Sequence, residues 1–142
     1  EIVKAPATRR DLGIQFPFTV TDRAAGRLWY VEVAGAFTTA RPGMRRADVL
    51  WRTLGRAHVL ASGHTGLDPL ERPRLLILTP RLPRPSSESD RALRAVGGTG
   101  FFDAVELFEP TDVDRLVHYA NQPGDRPLPG FWTEDEIAFR FQ

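Results

Sequence analysis

Glu32 places a carboxylate inside the apolar segment that runs from Leu28 to Ala34. Removing a charged group from water costs free energy unless a partner compensates the charge. Strands that carry such a group usually direct it toward a metal ion, a cation or a cleft. Glu32 therefore marks the first candidate site in the chain.

A second chemical signal is a concentration of arginines after this segment. Residues 41–56 contain five arginines and a single acid, Asp48. The steps of seven and four between Arg45, Arg52 and Arg56 predict one face of a helix. This face suits the phosphates of a nucleic acid, or it is an ordinary solvated surface on which Asp48 and Arg52 pair across one turn. The candidate nucleic-acid-binding residues are Arg41, Arg45, Arg46, Arg52 and Arg56, with Thr38 and Thr39 either adding hydroxyl contacts or capping a turn.

Two strands joined by a turn must position Glu32. Apolar alternation predicts a half-buried strand over residues 14–21, followed by a return strand over residues 28–34. On the return strand Glu32 shares a face with Tyr30 and Ala34, whereas Trp29, Val31 and Val33 occupy the opposite face. The hairpin thus presents Glu32 on one side of a sheet.

The later segments alternate between helix and strand. Helical spacing predicts a helix from about residue 44 to residue 61, whose buried face includes Leu50, Trp51, Leu54, Ala57 and His58. The continuous apolar run 74–79 predicts a strand buried on both faces. A helix over 86–96 with a cap formed by Ser87 and Asp90, a strand over 102–108 and a helix over 111–121 follow.

This order predicts an α/β domain, bordering on α+β. Antiparallel strands that lead into a βαβ continuation indicate a mixed sheet with helices packed on it. We expect the domain to span residues 1–122, and residues 123–142 to form a linker and a short packed tail. The aromatic residues of that tail cover this domain's own core or dock on a partner.

Composition sets the remaining limits. A chain of 142 residues with 42% hydrophobic content is suited to one domain with its own core. The absence of cysteine excludes disulfides and thiolate zinc sites. No apolar run approaches the roughly 20 residues that a membrane span needs, so we expect a cytoplasmic protein. The chain begins at Glu1 without a methionine, which favours a fragment of a longer protein.

Charge is distributed unevenly along the chain. Residues 1–102 hold 16 basic and 9 acidic groups, whereas residues 103–142 hold 3 basic and 9 acidic groups. This separation favours a polyanionic partner for the first part, although a chance distribution over the surface accounts for it equally well.

The predicted order of elements, with Glu32-Val33-Ala34 at the end of the hairpin, resembles the restriction-endonuclease-like superfamily, the PD-(D/E)XK nucleases. The core of that family is a helix, a three-strand meander, a helix and a fourth strand, with an acidic-x-lysine element on the third meander strand. The resemblance covers about residues 1–80. The family's first helix is absent from the chain, and residues 1–8 would supply the first strand.

The resemblance implies hydrolysis of a phosphodiester by a bound Mg²⁺, with Mn²⁺ as a substitute. It assigns the metal to Asp11, Glu32 and the Val33 carbonyl. Ala34 stands where the family has lysine, so Gln15 or Lys4 would assist the attacking water. Pairing of residue 21 with residue 28 would place Gln15 opposite Ala34 and residue 17 opposite Glu32.

Three functions remain open at the level of sequence. The first is a metal-dependent DNA endonuclease of a restriction, repair or mobile-element system, acting as a homodimer or within a larger protein or complex. The second is an inactive nuclease-fold domain that serves nucleic-acid binding or protein assembly. The third is a protein-interaction module without a nucleic-acid role.

Overall fold

The computed structural model describes residues 1–38, 40–67 and 72–121. Their strands are β1 Ile2–Lys4, β2 Ala7–Arg9, β3 Ile14–Phe16, β4 Phe18–Thr21, β5 Leu28–Val33, β6 Arg74–Thr79 and β7 Asp103–Glu106. Their helices are α1 Ala47–Ser62, α2 Glu88–Val96 and α3 Pro110–Asn121, and a 3₁₀ turn, Gly43–Arg45, precedes α1. The predicted tail, residues 123–142, and Thr39 lie outside the described residues.

A five-stranded mixed sheet in the order β1-β4-β5-β6-β7 organises the fold. The β1–β4 and β4–β5 pairs are antiparallel, whereas the β5–β6 and β6–β7 pairs are parallel. Helices α1 and α2 connect the parallel strands, as a βαβ crossover requires. The predicted α/β class, with an antiparallel meander followed by a βαβ continuation, is confirmed.

Pro17 divides the predicted 14–21 strand into two strands that join different sheets. Thr21 pairs with Leu28 as predicted, and the β4–β5 pairing extends to Phe18 opposite Val31. The residues before Pro17 do not belong to this sheet, because β3 pairs with β2 instead. Proline has no N–H group for the ladder, which favours such a break.

The predicted pairing of Gln15 with Ala34 is therefore wrong. Gln15 lies opposite Thr8 in the small β2–β3 sheet. The Ala34 N–H donates to the Leu78 carbonyl on the other side of β5, at 2.8 Å.

The two faces of the sheet carry separate cores, as the alternation along β5 predicts. Tyr30 and Ala34 pack with residues of α1 and α2, including Leu50 and Leu93. On the opposite face, Trp29 packs with Leu76 and with Tyr119 of α3. Glu32 lies between Tyr30 and Ala34 on the same face of the sheet, and it therefore faces the side that α1 and α2 cover.

Helix α1, Ala47–Ser62, begins three residues later than predicted and has a different buried face. Trp51 is 61% exposed and His58 is exposed, so their predicted burial is wrong. The buried residues are Val49, Leu50, Thr53, Leu54, Ala57 and Leu60. Thr53 is buried because its hydroxyl donates to the Val49 carbonyl at 2.8 Å, which satisfies the polar group inside the helix.

Ser87 caps α2 as predicted, since its Oγ accepts a hydrogen bond from the Asp90 N–H at 3.2 Å. We expect Ser87→Ala to lower the free energy of unfolding by about 1 kcal/mol because one N–H of the first turn loses its partner. Urea denaturation measures this change. Ser89→Ala, within the same turn, is the control and should leave stability nearly unchanged; equal losses in both variants would contradict the cap.

Candidate functional site

Glu32 lies one residue before the end of β5, with 8% of its surface exposed. Its Oε2 accepts a hydrogen bond from Arg56 Nε of α1 at 2.5 Å. Arg56 Nη2 also donates to the Gln15 carbonyl, and its guanidinium lies 5.2 Å from the centre of the Phe16 ring. The partner of the buried carboxylate is thus a helix arginine that ties α1 to β5 and β3.

An open pocket of about 320 Å³ surrounds this ion pair. It is lined by Gln15, Phe16, Pro17, Glu32, Arg52 and Arg56, and we call it the Glu32 pocket. Its lining holds one carboxylate and two guanidinium groups. Because Glu32 and Arg56 compensate each other, the exposed Arg52 sets the net positive charge of the pocket.

The second acid of the implied metal site is held elsewhere. Asp11 lies in the turn between β2 and β3, where its two carboxylate oxygens accept hydrogen bonds from Arg9 at 3.0 and 2.6 Å. The hydrogen bonds from Arg9 lower the pKa of Asp11. Asp11 does not line the Glu32 pocket.

The residues assigned to Mg²⁺ by the resemblance do not fit a two-carboxylate metal site. Glu32 is bound to Arg56, and Asp11 is bound to Arg9. Within residues 1–38, 40–67 and 72–121, no three His, Asp or Glu side chains gather into a group that would hold a metal ion. Lys4 lies in β1 opposite Thr19 and does not line the pocket, whereas Gln15 does.

The first arginine of the predicted nucleic-acid surface lies in the segment between β5 and α1. Arg41 Nε donates to the Thr38 carbonyl at 3.1 Å, and its guanidinium lies 4.6 Å from the centre of the Phe108 ring. Thr38 is exposed, and Thr39 lies outside the described residues.

The remaining arginines do not share one helix face. Arg45 belongs to the 3₁₀ turn, where its Nε donates to the Leu82 carbonyl at 3.4 Å. Arg46 precedes α1 and pairs with Asp48 through two hydrogen bonds of 3.0 Å, so the alternative pairing of Asp48 with Arg52 is also wrong. Arg52 lies within α1, as does Arg56. The predicted face fails because the helix begins only at residue 47.

A buried network on the opposite sheet face was not found from sequence. Asp103 is fully buried and accepts hydrogen bonds from Tyr119 Oη at 2.7 Å and from Arg115 Nε at 3.2 Å. Burial raises the pKa of Asp103, although the charge of Arg115 opposes this effect. The spacing of Arg115 and Tyr119, one helical turn apart, was the available signal. The network fastens α3 to β7.

A second group that sequence analysis missed combines Arg9, Tyr30 and His64. Arg9 Nη1 lies 3.3 Å from Tyr30 Oη and 3.2 Å from His64 Nε2. His64 Nδ1 lies 2.7 Å from the Leu60 carbonyl, so Nδ1 carries the hydrogen and Nε2 accepts from Arg9. The available signal was the position of Tyr30, two residues before Glu32 on the same face of β5.

Comparisons with models of protein families, with curated proteins and with solved structures find no match. None of the helices in the described part of the chain combines the length and the apolar character needed to cross a bilayer.

Proposed function

We propose that this chain is a nuclease-fold domain that binds DNA through its phosphate backbone at the Glu32 pocket without cutting it. The observation that carries the proposal is the pairing of Glu32 with Arg56 beside the exposed Arg52. This arrangement leaves the pocket a net positive charge and leaves its carboxylate engaged. A nucleic-acid backbone supplies the negative charges that such a pocket attracts.

The order of elements supports the nuclease-fold part of the proposal. Strands β1, β4 and β5 form an antiparallel meander that leads into α1 and the parallel strand β6. This is the order that the resemblance to the PD-(D/E)XK nucleases implies, and Glu32 lies on the third meander strand. Glu32 would thus keep the position of the family's acidic residue, but its carboxylate is paired with Arg56 instead of a metal ion.

Arg52 has the features of a phosphate contact. Its side chain is exposed on α1 and lines the pocket. Among the described residues it has neither a salt bridge nor a side-chain hydrogen bond. A guanidinium binds phosphate oxygens through two parallel hydrogen bonds. Its charge is therefore available to a ligand.

Replacing Arg52 with glutamine should weaken binding to a short DNA duplex and make the slope of log K against log salt shallower by about 0.9, the value for one lost phosphate contact. Glu32→Gln should strengthen binding, because it removes the negative charge that compensates Arg56. Fluorescence anisotropy across a series of salt concentrations measures both effects. Arg91→Gln, which removes an exposed arginine from α2, is the matched control. Equal losses in Arg52→Gln and Arg91→Gln would refute the pocket as the contact.

The second candidate is a metal-dependent DNA endonuclease of a restriction, repair or mobile-element system. The position of Glu32 at the end of the third meander strand, just before α1, favours it. Cleavage of supercoiled DNA with Mg²⁺ or Mn²⁺ distinguishes the two candidates. Nicking that disappears in Glu32→Ala would replace the first proposal with the second, whereas binding without nicking supports the first.

A further inference from the structure

Two exposed phenylalanine rings meet where the parallel strands end. Phe37 follows the end of β5 and Phe108 follows the end of β7, and these residues are 39% and 54% exposed. Their ring centres lie 6.0 Å apart, with the ring planes inclined by 53°. The pair thus bridges the two strands that flank β6 in the sheet. Exposed apolar side chains in contact form a patch, and such patches mark interaction sites.

Arg41 adds a guanidinium group to this aromatic pair. The guanidinium lies 4.6 Å from the centre of the Phe108 ring, which is a cation–π distance. Its Nε donates to the Thr38 carbonyl at 3.1 Å, and its two Nη atoms form no hydrogen bond with the described residues. A group whose orientation is already set loses less conformational entropy when it binds a ligand. We call Phe37, Phe108 and Arg41 the aromatic platform.

The segments around the aromatic platform contain more arginines than acids. Residues 35–45, 80–84 and 106–109 hold Arg41, Arg45, Arg81 and Arg84 together with Glu106 and Glu109. All four arginines are exposed, and none of them forms a salt bridge within the described part of the chain. Leu82 joins the segments, because its N–H donates to Glu106 Oε2 at 3.0 Å and its carbonyl accepts from Arg45 Nε at 3.4 Å. Thr39, which lies outside the described residues, is uncharged. This surface therefore attracts a negatively charged ligand.

The chain reaches its two longer segments outside the described residues, 68–71 and 122–142, at the opposite edge of the sheet. Arg72 follows the first segment and lies two positions before the amino end of β6. Tyr119 lies near the end of α3, and its Oη donates to Asp103, the first residue of β7. The described residues next to both segments thus lie at the amino ends of the parallel strands, whereas the aromatic platform lies at their carboxyl ends.

We propose that the aromatic platform binds an unpaired base of a single-stranded nucleic acid, while the surrounding arginines bind its phosphates. Every base has a flat π-face that stacks on an aromatic ring or on a guanidinium plane. In a duplex these faces are covered by neighbouring base pairs, so the platform selects single strands. The carboxyl ends of the strands are also the edge at which open α/β sheets bind ligands. None of the platform residues lines the Glu32 pocket, and the inference does not rest on duplex binding there.

Two probes of equal length separate the bases of a strand from its charge: oligothymidine, and an abasic strand with the same number of phosphates. Fluorescence anisotropy should show that the full wild-type chain binds oligothymidine roughly tenfold more tightly than the abasic strand, the effect of stacking one base. Equal affinities would overturn the proposal, because phosphate contacts alone would then account for binding. This comparison needs no variant.

A pair of double variants tests whether the rings are responsible. Phe37→Leu/Phe108→Leu keeps two apolar side chains but removes both aromatic faces, so the preference for oligothymidine should disappear. Phe37→Tyr/Phe108→Tyr keeps both rings and should keep the preference. Val117→Ala truncates an apolar residue of α3 that is 55% exposed, and this control should behave as the wild type. A preference that survives in the double leucine variant would also overturn the proposal.

Duplex DNA distinguishes this site from the Glu32 pocket. The double leucine variant should bind a duplex as tightly as the wild type, whereas Arg52→Gln should keep the preference for oligothymidine over the abasic strand. Either proposal can therefore fail while the other survives. Analytical ultracentrifugation tests a protein partner in place of a base. A wild type that dimerises without any preference for bases, and that becomes monomeric in the double leucine variant, would assign the aromatic platform to a second copy of the chain and overturn the proposal.

Discussion

Arg115→Met should lower the free energy of unfolding by about 3–5 kcal/mol, because it leaves a buried carboxylate without its cation. Asp103 is fully buried, and Arg115 Nε lies 3.2 Å from its Oδ2. The same arginine donates to Asp112 Oδ1 at 2.5 Å. Methionine keeps most of the apolar stem of the arginine side chain. The loss of stability therefore reports the missing guanidinium and not a change in packing.

The deficit caused by Arg115→Met should shrink in acid. Burial already raises the pKa of Asp103 in the folded wild type, and loss of the arginine raises it further. A carboxyl whose pKa is higher when folded than when unfolded favours folding at low pH, and this contribution disappears as the pH rises through the folded pKa. The difference from the wild type should therefore be smaller at about pH 4 than at pH 7, measured by urea denaturation.

The double variant Asp103→Asn/Arg115→Met is the control for this interpretation. It removes the buried charge together with its partner, so it should recover part of the lost stability and lose the dependence on acid. Tyr119 Oη remains as a donor to residue 103. If the single and double variants were equally unstable at every pH, the loss would come from packing rather than from the uncompensated charge.

The longest elements were predictable because their signals are local. The apolar run of β6 and the spacing of α1 reflect neighbours within one turn or one strand, and the structure has a 6-residue strand and a 16-residue helix there. The cap of α2 depends on two residues three positions apart, Ser87 and Asp90, and it is also confirmed. Periodicity and capping carry information over these short distances.

The rotation of α1 was not predictable from hydrophobicity. Trp51 is the largest apolar side chain of the helix, yet 61% of it is exposed, whereas the polar Thr53 is 2% exposed. A hydrophobicity scale would predict the opposite, with Trp51 buried and Thr53 exposed. A threonine that hydrogen-bonds its own helix costs little to bury, because its hydroxyl keeps a partner away from water.

This rotation also explains why the partner of Glu32 was missed. A buried Trp51 would put Arg56 on the solvent face of α1, where the sequence predicts a phosphate contact. In the structure Arg56 lies at the edge of the buried face and reaches Glu32 at 2.5 Å. The sequence indicates that the Glu32 carboxylate needs a compensating charge. Its partner Arg56 is 24 positions away in sequence, so only the tertiary structure identifies it.

The break of the strand at Pro17 is likewise set by hydrogen bonding and not by the hydrophobic pattern. Alternation alone joins residues 14–21 into one strand, because the pattern of side chains continues across the proline. Backbone hydrogen bonding interrupts it, since proline offers no N–H group. The result moves Gln15 from the ladder of β5 to the β2–β3 sheet, while its carbonyl still reaches Arg56. The pocket beside Glu32 depends on this break.

Gly43→Ala should destabilise the fold by about 2–5 kcal/mol, the sum of a left-handed backbone penalty and the strain of overpacking. Gly43 has φ of +53°. An added Cβ would lie 2.6 Å from Thr79 Oγ1 and 2.7 Å from both the N and the O of Arg81. Two of these three atoms belong to backbone, which cannot move aside as a flexible side chain can.

The close approach at Gly43 joins the segment before α1 to the end of β6. Met44 N–H donates to the Arg81 carbonyl at 2.8 Å, and Thr79 Oγ1 donates to the Ala34 carbonyl at 2.9 Å. Urea denaturation of Gly43→Ala measures the stability, and Gly55→Ala is the control of opposite sign. Gly55 lies within α1, where an added Cβ meets nothing within 4 Å, so alanine should stabilise the helix by about 0.5–1 kcal/mol. A Gly43→Ala protein as stable as the wild type would show that this segment shifts away from β6 without cost, and that the position of α1 does not depend on it.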